Sequence, residues 1–164
     1  MDISVVVPLY NEEESLPELF AWIERVMNAN GFSYEVIFVN DGSTDRSWQV
    51  IEQLQAQAPD KVRGIKFRRN YGKSPALFCG FEQAQGDVVI TMDADLQDDI
   101  DAVDRFVEKY MEGCDVVYGV RNKRDKDTFF KRTTAEGYYK FLRLLGVDIV
   151  FNLSLIHISE PTRL

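Results

Sequence analysis

Short apolar runs rich in β-branched residues recur along the chain: Ile3 to Val7, Val36 to Val39, Val62 to Phe67, Val88 to Met92 and Val116 to Tyr118. They are short and bounded by turn-forming residues, so they read as buried strands. Between the first two runs, Leu16, Leu19, Phe20, Ile23, Val26 and Met27 fall on one face of an α-helix. Trp48, Ile51, Leu54 and Ala58 do the same after the second run, and Leu77, Gly80, Phe81 and Ala84 after the third. Ile100, Val103, Phe106, Val107, Tyr110 and Met111 follow the fourth. Continuous apolar strands alternating with amphipathic helices predict an α/β domain, a mostly parallel Rossmann-like sheet flanked by helices. Ligands of such sheets bind beyond the carboxyl ends of the strands, which directs attention to the residues there.

Polar clusters occupy several of those ends. The first strand leads into Pro8, Leu9, Tyr10, Asn11, Glu12 and Glu13, the second into Asn40-Asp41-Gly42-Ser43-Thr44-Asp45, and the fourth into Asp93-Ala94-Asp95-Leu96-Gln97-Asp98. An Asp-x-Asp directly after a buried strand puts two carboxylates on a rigid element, where they repel one another unless a cation lies between. Hard divalent ions take oxygen ligands, often only one or two of them protein carboxylates, and Gln97 offers a further neutral oxygen. The competing role for these acids is to favour the N-terminus of the next helix, and Asp98, Asp99 and Asp101 are assigned to it. Asp-Gly-Ser-Thr-Asp is likewise good turn and capping chemistry. Asp41, at the strand's end, is placed to accept hydrogen bonds from a nucleobase or a ribose.

Together the clusters resemble the family 2 glycosyltransferases with the GT-A fold, and within them the polyprenyl-phosphate sugar transferases. The matching motifs are Pro8 to Glu13 (PLYNEE), Val39 to Asp45 (VNDGSTD), Asn70 to Lys73 (NYGK), Asp93 to Asp98 (DADLQD) and Gly119 to Arg121 (GVR), in the family's order over residues 1 to 152. The resemblance implies a nucleoside-diphosphate sugar as donor and a polyprenyl phosphate, undecaprenyl or dolichyl, as acceptor. It implies that Pro8, Tyr10, Glu12, Asp41, Lys73 and Asp93 bind the nucleotide sugar. Asp93, Asp95 and Gln97 would hold Mg²⁺ or Mn²⁺, and Asp95, Arg121 and Arg132 would be catalytic, the two arginines facing the acceptor phosphate. A phosphate acceptor needs no general base, because its second pKa is about 6.

Charge adds to this picture. The net charge is −8, which argues against nucleic acid as a partner. Between Arg121 and Arg143, however, eight basic residues face three acidic ones, so this stretch is +5 and the rest of the chain −13. Arginine clamps phosphate bidentately, which suits Arg121 and Arg132 to the acceptor; the lysines fit a solvated or membrane-facing surface equally well. The stretch is expected to begin as a loop and turn helical around Phe130, Thr134, Gly137, Tyr138, Phe141 and Leu145.

Other chemistries fit less well. One histidine, His157, argues against His-based catalysis or a zinc site. Cys79 and Cys114 lack metal-ligand spacing and read as reduced core residues of a cytosolic protein. Gly72-Lys73-Ser74 is no phosphate-binding P-loop, because Phe67 stands where that motif needs glycine. A haloacid-dehalogenase-type phosphohydrolase shares the Asp-x-Asp but continues to Thr or Val where this chain has Gln97. The non-catalytic alternative is a nucleotide-sugar-binding module without transfer activity. No signal peptide is expected, since Asp2 and the strand-like run after it lack a basic n-region and a cleavage site, and no spanning helix, since Arg143, Asp148 and Asn152 interrupt the apolar segment from Phe141 to Ile158. The full-length protein is expected on the cytoplasmic side, peripheral to or anchored at the membrane. Residues 1–152 are expected to form a GT-A domain incomplete at its C-terminal end. Residues 153–164 read as a non-native tail in which Ser159 to Leu164 make few buried contacts.

Overall fold

The computed structural model describes residues 1–96, 100–114, 116–120 and 153–159. In chain order its elements are β1 (Ile3–Leu9), α1 (Leu16–Asn30), β2 (Tyr34–Asn40), α2 (Ser47–Gln57), β3 (Val62–Lys66), α3 (Lys73–Gln83), β4 (Val88–Thr91), a 3₁₀ turn (Ile100–Ala102), α4 (Val103–Met111), β5 (Val116–Val120) and β6 (Leu153–Ser159). The strands form one sheet in the order β3-β2-β1-β4-β6-β5. β1 to β4 are parallel: Ile3 stands opposite Tyr34 on one side and Val88 on the other, and Val36 opposite Val62. β6 runs antiparallel to β4, with Thr91 opposite His157.

Strand periodicity explains why the apolar runs are unbroken. Val5, Val7, Val36, Phe38, Ile90 and Met92 share one core with α1, α2 and the Ile100–Val103 segment. Their strand neighbours Val6, Ile37, Val39 and Val89 share a second core with Ala76 of α3. A sheet covered on both faces leaves no position for a solvent-facing polar alternation. In α1 the six residues of the expected stripe are all buried, Pro17 stands in the first turn, and Gly31 at φ 71° closes the helix in the left-handed conformation. α3 lies close against the sheet because Gly80 has no side chain: a Cβ there would fall 2.3 Å from Val6 Cγ1.

Several expectations are corrected. Met111 is 77% exposed; at about 100° per residue it sits roughly 80° round the helix from Val103, on the margin of the apolar stripe. Cys114 is exposed beyond the Gly113 turn and Cys79 is only half-buried, so neither is a core residue. Asp101 stands in the first turn of the 3₁₀ segment, as expected of an acid favouring a helix N-terminus, and its carboxylate also pairs with Arg25 at 3.2 Å and accepts from Trp22 Nε1, binding the turn to α1.

Leu153–Ser159 takes a place in the sheet beside β4. In the strand order it lies between β4 and β5. Residues 160–164 lie outside the described residues. The chain divides into two compact units, Met1–Tyr118 with Leu155–Leu164, and Gly119–Ser154. The site described below belongs to the first; the expected helix around Phe130 to Leu145 lies outside the described residues. Among the described residues no helix is long and apolar enough to cross a membrane.

Candidate functional site

From β1 the chain steps to β2 and β3 on one side, then returns to β4 on the other side of β1. Loops leaving β1 and β4 therefore diverge and leave a crevice at the carboxyl edge, the usual ligand position in open α/β sheets. A cleft of about 310 Å³ opens there. Its walls bring together Pro8, Tyr10 and Glu12 after β1, Asp41 after β2, Lys73 at the start of α3, and Asp93 and Asp95 after β4. Seven residues singled out in the sequence thus meet in one place. The other three, Gln97, Arg121 and Arg132, lie outside the described residues.

The loops around the cleft are tied to one another. Glu12 donates its backbone N–H to Ser47 Oγ at 2.9 Å, and Glu13 donates to Asp45 Oδ2 at 3.1 Å. Thr44 N–H donates to Asn11 Oδ1 at 2.9 Å, and Arg46 N–H to Glu13 Oε2 at 2.8 Å. Burial pushes the Asp45 carboxyl up, but hydrogen bonds from Ser47 and Glu13 more than reverse this and hold it below its ordinary 3.8. The Glu12 carboxylate is oriented by Ser15 Oγ, which donates at 2.8 Å. Beyond Asp95 the chain turns at Leu96, whose φ of 58° lies in the left-handed region. That conformation costs a leucine about 1–2 kcal/mol; packing of its side chain against the core holds it there.

Two contacts define the electrostatics of the cleft. The Asp41 carboxylate, only 4% exposed, accepts the backbone N–H of Tyr71 at 2.7 Å and of Gly72 at 2.8 Å, one on each oxygen. Lys73, the next residue, donates from Nζ to Asp93 Oδ1 in an ion pair. Asn70 and Gly72 also line the cleft; the strand-end reading assigned neither a role. The signal for them was Asn-Tyr-Gly between a strand and a helix, a turn sequence in which Gly72 adopts a φ of 97°.

Residues 4–155 match the family model described as glycosyl transferase family 2. A prophage bactoprenol glucosyl transferase homolog of Escherichia coli (strain K12) is 37% identical over 171 residues, covering 95% of this chain and 56% of that protein. The chain spans about half the length of the curated relatives it matches. Among solved structures, mannosyl-3-phosphoglycerate synthase from Rubrobacter xylanophilus superimposes with a TM-score of 0.72 at 18% identity, over 98% of this chain and 53% of that one. Mannosyltransferase PcManGT from Pyrobaculum calidifontis, in complex with GDP-Man and Mn²⁺, does so with a TM-score of 0.57 at 22% identity, over 96% and 44%. At such identities the likeness speaks for the fold, which is GT-A. On the match of its family model, which takes in every strand-end cluster around the cleft, the chain belongs to glycosyl transferase family 2.

Proposed function

We propose that the cleft binds a nucleoside-diphosphate sugar and that the full-length protein transfers the sugar to a polyprenyl phosphate. The observation that carries this is the convergence of Tyr10, Glu12, Asp41, Lys73, Asp93 and Asp95 on one cleft at the point where the strand order reverses. The family supplies the reaction class, and the bactoprenol glucosyl transferase relatives, by name, suggest the acceptor.

In this reading an acceptor phosphate oxygen forms a bond to the anomeric carbon as the bond from that carbon to the nucleoside diphosphate breaks. The phosphate attacks as an anion, so no side chain has to remove a proton from it. Pro8, Tyr10 and Asp41 form the nucleotide side of the cleft, and Lys73 stands on the diphosphate side. Arg121 and Arg132 would hold the acceptor phosphate by paired hydrogen bonds.

The donor set fits a divalent cation. Asp93 and Asp95 contribute two carboxylates, and among the described residues no group of three or more His, Cys, Asp or Glu side chains is placed to enclose a metal ion. Two carboxylates plus ligand phosphate oxygens are what Mg²⁺ or Mn²⁺ takes when shared with a substrate. Asp93 and Asp95, with Gln97, would hold that cation, which when bound offsets charge developing on the diphosphate.

The test of donor binding is calorimetry with UDP- and GDP-sugars, with and without Mg²⁺ or Mn²⁺. Binding that requires the cation is expected; sugar nucleotides that never bind would overturn the proposal. Binding without turnover in the full-length protein would leave a non-catalytic module, and release of inorganic phosphate would point to a phosphohydrolase. For the acceptor, Arg121→Ala in the full-length protein should lower transfer to polyprenyl phosphate by at least about 10-fold while donor affinity is kept, as for a group that acts only on the second substrate. Equal loss of both would move Arg121 to the donor side.

A further inference from the structure

Among the described residues, four acidic side chains, Glu12, Asp41, Asp93 and Asp95, and one basic side chain, Lys73, line the cleft. Such a surface is a poor receptor for a diphosphate anion until cations enter it. Lys73 Nζ is placed on Asp93, the carboxylate that the proposed divalent ion would need.

The position of Lys73 follows from the loop before it. Asp41 holds that loop by accepting the N–H groups of Tyr71 and Gly72 on its two oxygens, and hydrogen bonds to a charged acceptor are the stronger kind. Gly42 lets the loop come close. At φ 72°, a Cβ on Gly42 would lie 2.3 Å from the carbonyl carbon of Arg69 and 2.6 Å from the amide nitrogen of Asn70. On its far side the loop is braced by the edge-on contact of Tyr71 with Phe67, centroids 5.6 Å apart, and by the Arg69 guanidinium 4.9 Å above the Tyr71 ring. Asp41 and Gly42 therefore seat the backbone of residues 69–72, and Lys73 leaves that seat directly onto Asp93.

We propose that Asp41 and Gly42 form a clamp that parks Lys73 on Asp93 as a built-in counter-cation, which a divalent ion displaces when it arrives with the nucleoside diphosphate. This rests on the donor-site reading above. Besides lining the nucleotide side of the cleft, Asp41 is then a positioning residue for Lys73, acting through the loop. The displaced ammonium stays tethered one residue from the clamp, beside the phosphates the ion has brought. Metal alone competes with Lys73 and binds weakly; diphosphate alone meets a negative wall and binds weakly; each strengthens the other, and by linkage the enhancement is equal in both directions.

The experiment measures Mn²⁺ alone, UDP and GDP alone, and each nucleotide with Mn²⁺, by calorimetry on this chain. Lys73→Met should tighten binding of Mn²⁺ alone by about 3- to 10-fold, the range expected when a nearby like charge is removed from a partly exposed site. It should also weaken the mutual enhancement between Mn²⁺ and nucleotide, and Lys73→Arg should restore part of it. Gly42→Ala changes no charge and adds no nucleotide contact, yet pushes the loop off its seat. It should therefore also tighten Mn²⁺ alone, an effect that a role for this segment in nucleotide contact alone would not produce. Unchanged Mn²⁺ affinity in Lys73→Met overturns the proposal, and unchanged affinity in a folded Gly42→Ala overturns the clamp. Absence of any nucleotide binding in the parent chain would instead overturn the donor-site reading; the Mn²⁺-alone measurements still read the competition between Lys73 and the metal.

Discussion

The two ends of the sheet use the same device for different purposes. At the amino edge, Glu35 is 2% exposed and accepts from Ser4 Oγ at 2.7 Å, from the Gln85 N–H at 2.8 Å and from Arg63 at 3.0 Å. Gly86 allows close approach there, since a Cβ would lie 2.5 Å from Ser4 N. At the carboxyl edge, Asp41 accepts two backbone N–H groups, and Gly42 allows the close approach. Each pair, a buried carboxylate and a glycine, pins a segment that enters a helix or a strand. The difference is what lies beyond. At the amino edge Arg63 balances the carboxylate charge and the network stabilises the fold. At the carboxyl edge the pinned segment carries a lysine into a cleft with three further acids.

If that contrast is right, damage to the amino edge should cost stability, and damage to the cleft should cost binding. The largest loss of stability is expected for Glu35→Ala, about 3 kcal/mol, because it leaves buried donors and an arginine without their acceptor. Urea unfolding would measure it, and nucleotide affinity of the folded fraction should be unchanged. A loss of binding with stability intact would collapse the distinction.

A smaller effect should appear in acid. The Asp45 carboxyl is held below its ordinary 3.8 in the folded chain, so its contribution is complete above that value and is lost as pH falls through the lower folded-state value. The urea midpoint should therefore decline as pH falls through and below the ordinary carboxylate range, and Asp45→Asn should decline less steeply there. Parallel curves would show that the loop ties through Asp45 add nothing to stability.

The smallest stability change, within about 0.5 kcal/mol, is expected for Asp95→Ala, since this side chain is exposed and outside the core. Its effect should appear almost wholly in binding, as loss of the metal dependence of nucleotide affinity. Metal-dependent binding that survives in this variant would remove Asp95 from the proposed cation site.

Much of this was legible from residue order. Leu16 to Met27 were recognisable as one buried stripe because helix periodicity is local, and the strands because burial on both faces demands unbroken apolar runs. The clusters at Pro8, Asp41 and Asp93 were recognisable as site candidates because the fold class says which ends of strands meet ligand. Met111 and Cys114 were misjudged for a common reason, and the partners of Asp101 were not foreseen for the same one. Composition and spacing describe what a side chain could bury or cap, and the neighbour it meets is set by elements far away in sequence, as when Asp101 turns to Arg25 and Trp22.

Periodicity and turn chemistry, which act between residues a few positions apart, determined by themselves that this chain forms alternating strands and helices with acidic clusters at the carboxyl ends. The placement of Lys73 on Asp93, and the duty of Asp41 to backbone amides thirty and thirty-one residues away, was decided only by the tertiary structure. Parallel strands joined through helices bring distant loops to one edge, and which donor then meets which acceptor depends on loop paths and close approaches at glycines. No local pattern in the chain encodes those distances.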